Sequence, residues 1–273
     1  MSSPLACPAR PQALEVLRRA GAVALADLAV TYTWRTWLFG RVPRKLSQVA
    51  FFALIGRVVG GEDAERFLVV GNALMACAVE TTLVVASSAW ERALGTMPLL
   101  VSAPAPLAWA FAVRSAQWII SGTGASLVAL LLLGPLFGAD WQLEMIPVMV
   151  LLVVLTAVGT YCFGLALGAW VIDHPAQRNV VSLLANLLMM TICGVQVALD
   201  HWPAPVQTLA ALLPITHELV ALRELLDGAP LSAILPDAAA GALVGAAWLA
   251  IAVVAFGRVG ERGRRDGTIE FGA

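Results

Sequence analysis

Six apolar runs, each close to the length of a membrane crossing, constrain this chain more than any other feature of its sequence. About 20 apolar residues in helical form cross roughly 30 Å of hydrocarbon. Runs of this kind lie at about 44–61, 67–89, 108–134, 146–172, 179–198 and 234–257. Inside a bilayer every backbone N–H and C=O must be satisfied internally, so runs of this length fold as helices. The first is the weakest, with Arg57 near its end, from where the guanidinium snorkels to the interface. The third and fourth are long enough to tilt or to project beyond the bilayer. Composition agrees with this reading. Hydrophobic residues make up 60% of the 273 and charged residues 13%, whereas a soluble domain carries about 25% charged residues. The chain has too little polar surface to coat a soluble fold. The expected fold class is all-α: a polytopic membrane protein with six transmembrane helices. An N-terminal interfacial amphipathic helix precedes them, and short outer-surface helices precede the last span.

Basic residues orient the spans, because cytoplasmic loops retain Lys and Arg. Arg10, Arg18, Arg19, Arg35, Arg41, Arg44 and Lys45 precede or open the first span. Arg92, Arg114 and Arg178 fall in or beside the second-to-third and fourth-to-fifth loops, and Arg258, Arg262, Arg264 and Arg265 follow the last span. Only Arg57, Arg66 and Arg223 remain for the other side. Both termini are expected in the cytoplasm of a multi-pass inner (plasma) membrane protein. Acidic residues lean outward, among them Glu62, Asp63, Glu65, Asp140, Glu144, Asp200, Glu218, Asp227 and Asp237. The domain boundaries follow: 1–43 as a cytoplasmic N-terminal region, 44–257 as the six-helix transmembrane domain, 258–273 as a cytoplasmic tail.

Two segments read as amphipathic. Leu14, Leu17, Gly21, Leu25, Leu28 and Tyr32 recur at helical spacing, followed by Trp34 and Trp37. This pattern suits a helix in the inner interface, in contact with membrane lipid. Between the fifth and sixth spans, "PVQTLAALLP" and "THELVALRELLDG" read as two short helices, with Thr216 as an N-cap and Gly228 as a stop.

Catalytic and cofactor-binding patterns are missing from the sequence. It has no G-x-x-x-x-G-K-[ST] stretch, so this chain is not expected to cradle ATP. "SGTGAS" at 121–126 lacks a lysine, lies inside a span and reads as a close helix-packing surface. His174, His201 and His217 fall on both sides of the membrane, and Cys7, Cys77, Cys162 and Cys193 show no paired spacing. No metal site, disulfide framework or catalytic residue is expected. "PLAC" at 4–7 has no basic and apolar segment before it, so no cleaved signal peptide is expected. The net charge of −1 gives no support to a nucleic-acid partner.

Polar residues within spans mark candidate sites. Glu80 falls well inside the second span, where a bare carboxylate is costly. It is expected to line a substrate path or to hydrogen-bond between helices. Asn72 and Asn186 are the other path candidates, with interhelical bonding as the alternative for each.

One stretch interrupts the apolar chain: "WERALGTMPLLVSAPAP", at 90–106. It resembles the E-R-x-x-G-T-x-x-x-L-L-x-x-P loop of ABC-2-type transporter permeases, the membrane subunits of ABC exporters. The matching residues are Glu91, Arg92, Gly95, Thr96, Leu99, Leu100 and Pro104. "LLPITHELVALRELL" at 212–226 resembles the family's segment before the last span, through Pro214, Thr216, His217 and Arg223. Pro98 departs from the family, which commonly carries an acid there. The resemblance implies that the 90–106 loop couples to a separate ATP-binding cassette subunit, where ATP and Mg are bound. It implies no cofactor on this chain, a second permease copy or a homologous permease as partner, and no enzymatic activity. It also implies export of an amphipathic substrate: a drug, natural product, lipid or lipid-linked glycan. The alternative is a secondary transporter driven by an ion gradient through Glu80, for which the sequence shows no inverted repeat.

Overall fold

The computed structural model describes the backbone at positions 15, 18–26, 33–93 and 106–266, and the side chains there except at 34, 88, 89, 91–93 and 263–266. Every regular element among the described residues is helical. By length and composition, four helical stretches are long and apolar enough to cross a membrane: Trp37–Ser87, Leu107–Leu136, Ile146–Asp173 and Leu231–Arg262.

The first of these is a hairpin. Helix α1, Val42–Thr81, has one non-helical residue, Gly61, at φ 76° and ψ −158°. That backbone region is essentially confined to glycine. Straight, the helix would hold residues 41 and 80 about 58 Å apart. Instead Arg41 Nη1 lies 2.8 Å from Glu80 Oε2, and Arg57 pairs with Glu65 at 3.7 Å. The chain therefore doubles back at Gly61, and its two arms correspond to the first two expected spans. Gly56 allows the arms to touch, since a Cβ there would stand 2.7 Å from the Ala64 carbonyl oxygen.

The second expected span is not one continuous helix. The chain turns at Thr82 and Leu83, and α2 begins at Val84 and runs to Ala93. Thr82 donates its hydroxyl to the Ala78 carbonyl at 2.9 Å, and Thr81 donates to the same carbonyl at 3.0 Å. Such back-bonding competes with the helical ladder and bends it.

Helices α3 (Leu107–Ser115) and α4 (Gln117–Leu136) carry the third expected span, with a break at Ala116. The SGTGAS surface packs as expected: a Cβ on Gly122 would stand 3.0 Å from the Cys77 carbonyl oxygen. Helix α5, Ile146–Asp173, runs through the centre of the bundle. It touches the hairpin, α2, α4 and the last helix. Its Thr160 hydroxyl meets that of Thr81 at 2.8 Å, and its buried Tyr161 hydroxyl donates to the Ala112 carbonyl at 2.6 Å.

Two expectations need correction in the second half of the chain. The fifth span, expected over 179–198, is helical only as α6, Arg178–Ile192. Its 15 residues reach about 22 Å, and Gly194, at φ 83°, leads the chain into irregular structure. The two short helices are α7 (Ala204–Ala211), which is largely exposed, and α8 (Pro214–Leu226), which is buried rather than lying on a surface. The turn between them is driven into the bundle. A Cβ on Gly159 would stand 2.7 Å from Pro214 Cβ, and one on Gly245 would stand 3.1 Å from the Gly159 Cα. Gly159 is about 20 Å along α5, so the tip sits midway down the bundle. The apolar face of α8 explains this: nine of its residues are buried, Ile215, Leu219 and Leu222 among them, whereas α7 buries only Ala210. The last expected span, 234–257, lies within one long helix, α9, Leu231–Asp266.

Gly228, at φ 79°, does end α8. Thr216 does not cap it; Leu213 holds the N-cap position, and Thr216 donates from the first turn to the Ala210 carbonyl at 2.6 Å. Of the expected N-terminal stripe, Gly21 and Leu25 fall in the helical residues 18–26, whereas 14, 17, 28 and 32 lie outside the described residues. There Leu25 is exposed and Ala24 is buried. Gly21, on the expected stripe, packs against Val113 of α3.

Candidate functional site

The break between α1 and α2 gathers a set of polar residues inside the bundle. Glu80, one residue before the end of α1, is 2% exposed. Its Oε2 accepts from Arg41 Nη1 at 2.8 Å and from the Ser121 hydroxyl at 3.3 Å. Lys45 Nζ lies 3.6 Å from its Oε1 and is itself almost fully buried. A buried carboxylate needs compensating charge, and the hairpin supplies it. The first arm runs antiparallel to the second, so residues at its start meet residues at the end of its partner. The Arg41 guanidinium also lies over the Trp118 ring, 5.9 Å from its centroid. Arg41, Lys45 and Ser121 were not singled out from sequence.

The three path candidates do not converge on one lining. Asn72 is about 12 Å along the helix from Glu80. Its Nδ2 donates to the Leu68 carbonyl at 2.9 Å, and its Oδ1 accepts from Gln196 at 3.1 Å. Asn186 of α6 accepts from the Thr82 hydroxyl at 3.1 Å, at the break itself. Each of the three side chains thus bonds to a distant segment of this chain.

Helix α2 leaves the bundle from this break, packed against α5 and α6. The Trp118 indole N–H donates to the Ser87 hydroxyl at 2.8 Å, tying α2 to α4. Glu91 and Arg92 lie in the last turn of α2. Gly95, Thr96, Leu99, Leu100 and Pro104 lie outside the described residues.

The second motif stitches the inserted tip in place. His217 Nε2–H donates to the Ala211 carbonyl at 2.9 Å, which leaves Nδ1 facing Asp237 of α9 at 3.8 Å. Arg223 Nη2 donates to the carbonyls of Gly194 (2.9 Å) and Phe67 (3.2 Å). Its guanidinium stacks on the Phe67 ring, 3.5 Å from the centroid. Arg66 bonds the Leu226 carbonyl and Asp227, each at 2.9 Å, and so anchors the far end of α8. Glu218 is fully buried, its carboxyl pressed against Gly241, where a Cβ has no room. The sequence placed it among the outward-leaning acids, whereas the fold buries it.

Among the described residues, no cluster of His, Cys, Asp or Glu is arranged to hold a metal ion. The features together define a multi-pass helical membrane protein with a polar break feeding a helix out of one end of the bundle. The profile of the ABC-2 type transporter family matches residues 23–226. The chain belongs to that family, a membrane transport component that works with an ATPase subunit. No curated protein and no solved structure matches it.

Proposed function

We propose that this chain is the membrane subunit of an ATP-driven exporter, moving an amphipathic substrate outward. Family membership over most of the chain supports this reading most strongly. In the proposed arrangement six crossings are formed by the two arms of α1, α3 with α4, α5, α6 and α9. Both termini and the α2–α3 connection are cytoplasmic. The connection that follows α2 meets the ATPase subunit, where ATP and Mg are held. Glu91 and Arg92 offer charged contacts there, while Gly95, Thr96, Leu99, Leu100 and Pro104 shape the loop. A second permease, identical or homologous, completes the path. The substrate class is a drug, natural product, lipid or lipid-linked glycan. Motion of the loop reaches the bundle through α2, whose first turn adjoins the Glu80 cluster.

Co-expression with an ATP-binding cassette protein encoded beside it tests this directly. The expected result is co-purification of the two chains and ATP-dependent accumulation of a fluorescent amphiphile in inverted vesicles. Accumulation driven by an ion gradient without ATP overturns it.

A further inference from the structure

The far ends of the α1 hairpin and of α8 enclose a pocket of about 200 Å³. Asp63, Arg66, Phe67, Val70, Arg223 and Asp227 line it. Arg66 and Asp227 neutralise each other at 2.9 Å. Asp63 and Arg223 make no ion pair within 4.0 Å among the described residues, so one anion and one cation face the same space. The Arg223 guanidinium touches two carbonyls and an aromatic face, and its buried Nε–H has no acceptor. Carbonyls and rings stabilise a cation but do not neutralise it. Gly71 packs the helix against this group, since a Cβ there would stand 2.5 Å from the Val195 carbonyl oxygen and 3.1 Å from Nη2. Asp63, by contrast, is exposed at the rim, beside the Gly61 turn.

We propose that this pocket binds a phosphate–amine zwitterion of the phosphoethanolamine type, with the phosphate inward on Arg223 and the amine outward on Asp63. The polarity follows from depth, since the unneutralised cation lies at the floor and the unneutralised anion at the mouth. Planar Arg donors suit a phosphate, and Phe67 with Val70 forms an apolar wall for the linking carbons. A purely anionic group meets Asp63 and Asp227, and a purely cationic one meets Arg66 and Arg223; only a group carrying both charges is matched at both ends. Placement of the pocket at the outer membrane surface rests on the proposed topology.

The test uses the purified full-length chain in detergent, titrated with dihexanoyl phosphatidylethanolamine, dihexanoyl phosphatidylglycerol and free O-phosphoethanolamine. Calorimetry is expected to show the ethanolamine lipid binding about fivefold or more tightly over the glycerol lipid. Asp63→Asn, at an exposed site that does not bear on folding, should remove that preference. Arg223→Gln should weaken both lipids about tenfold. O-phosphoethanolamine binding as tightly as the lipid identifies a soluble zwitterion as the ligand; binding of the lipid alone identifies a membrane headgroup. Equal affinity for the two lipids in the parent chain, or an unchanged preference in Asp63→Asn, overturns the proposal. The assay is in detergent, so its outcome is independent of which side the pocket faces.

Discussion

Arg41 and Glu80 form an ion pair of 2.8 Å although most of two transmembrane arms separates them in sequence. With Lys45 at 3.6 Å, the pair closes the open end of the α1 hairpin, opposite its Gly61 turn. Breaking a buried pair by removing one partner leaves an uncompensated charge, at a cost of about 3–5 kcal/mol. Glu80→Leu should therefore lower the melting temperature of the detergent-solubilised chain markedly. Glu80→Gln keeps an acceptor for Ser121 but leaves Lys45 buried without a counter-charge, so it too should melt early. The double variant Lys45→Met/Glu80→Leu should recover much of the loss. A melting temperature for Glu80→Gln equal to that of the parent chain would show that the cations are not held by this carboxylate.

The hairpin turn makes a second prediction. Gly61→Ala places a Cβ in a backbone region that costs about 1–3 kcal/mol. Gly56→Val adds a branched side chain where even a Cβ meets the Ala64 carbonyl oxygen at 2.7 Å. Both should loosen the hairpin, with Gly56→Val the more severe. The check is disulfide formation between cysteines placed at 57 and 65, fast in the parent background and slowed by either substitution.

Topology is tested by labelling. A membrane-impermeant maleimide applied to intact cells should modify Asp63→Cys and Asp140→Cys and leave Arg178→Cys untouched. Labelling at 178 would reverse the proposed orientation.

Coupling is tested at the end of α2. Glu91→Ala should abolish transport and transport-linked ATP hydrolysis while membrane insertion and melting temperature stay unchanged. Normal transport by this variant would remove the proposed role of the loop.

The sequence disclosed the apolar runs because hydrocarbon demands length, and length is visible in one dimension. It also disclosed Gly228 and the SGTGAS surface, where residue size and backbone freedom act locally. The partners of Glu80 were less visible, although Arg41 and Glu80 lie almost equally far along the chain from Gly61. Recognising them required knowing that Gly61 was a tight turn rather than part of a longer loop. The depth of the α7–α8 tip was hidden for another reason. Gly159, Pro214 and Gly245 are each unremarkable alone, and their close approach depends on how three distant segments pack. The bends at Thr82 and at Cys193 were missed because hydropathy does not register hydroxyl back-bonding or the conformational freedom of Gly194.

The Gly61 turn also bears on biogenesis. In the proposed topology the turn is carried across the bilayer together with the two arms that flank it. The segment that has to pass through carries Arg57, Glu62, Asp63, Glu65 and Arg66. Each charge costs about 2.5–3.5 kcal/mol at the membrane centre. Pairing of Arg57 with Glu65, 3.7 Å apart across the turn, would offset two of these charges in a hairpin that forms before it inserts.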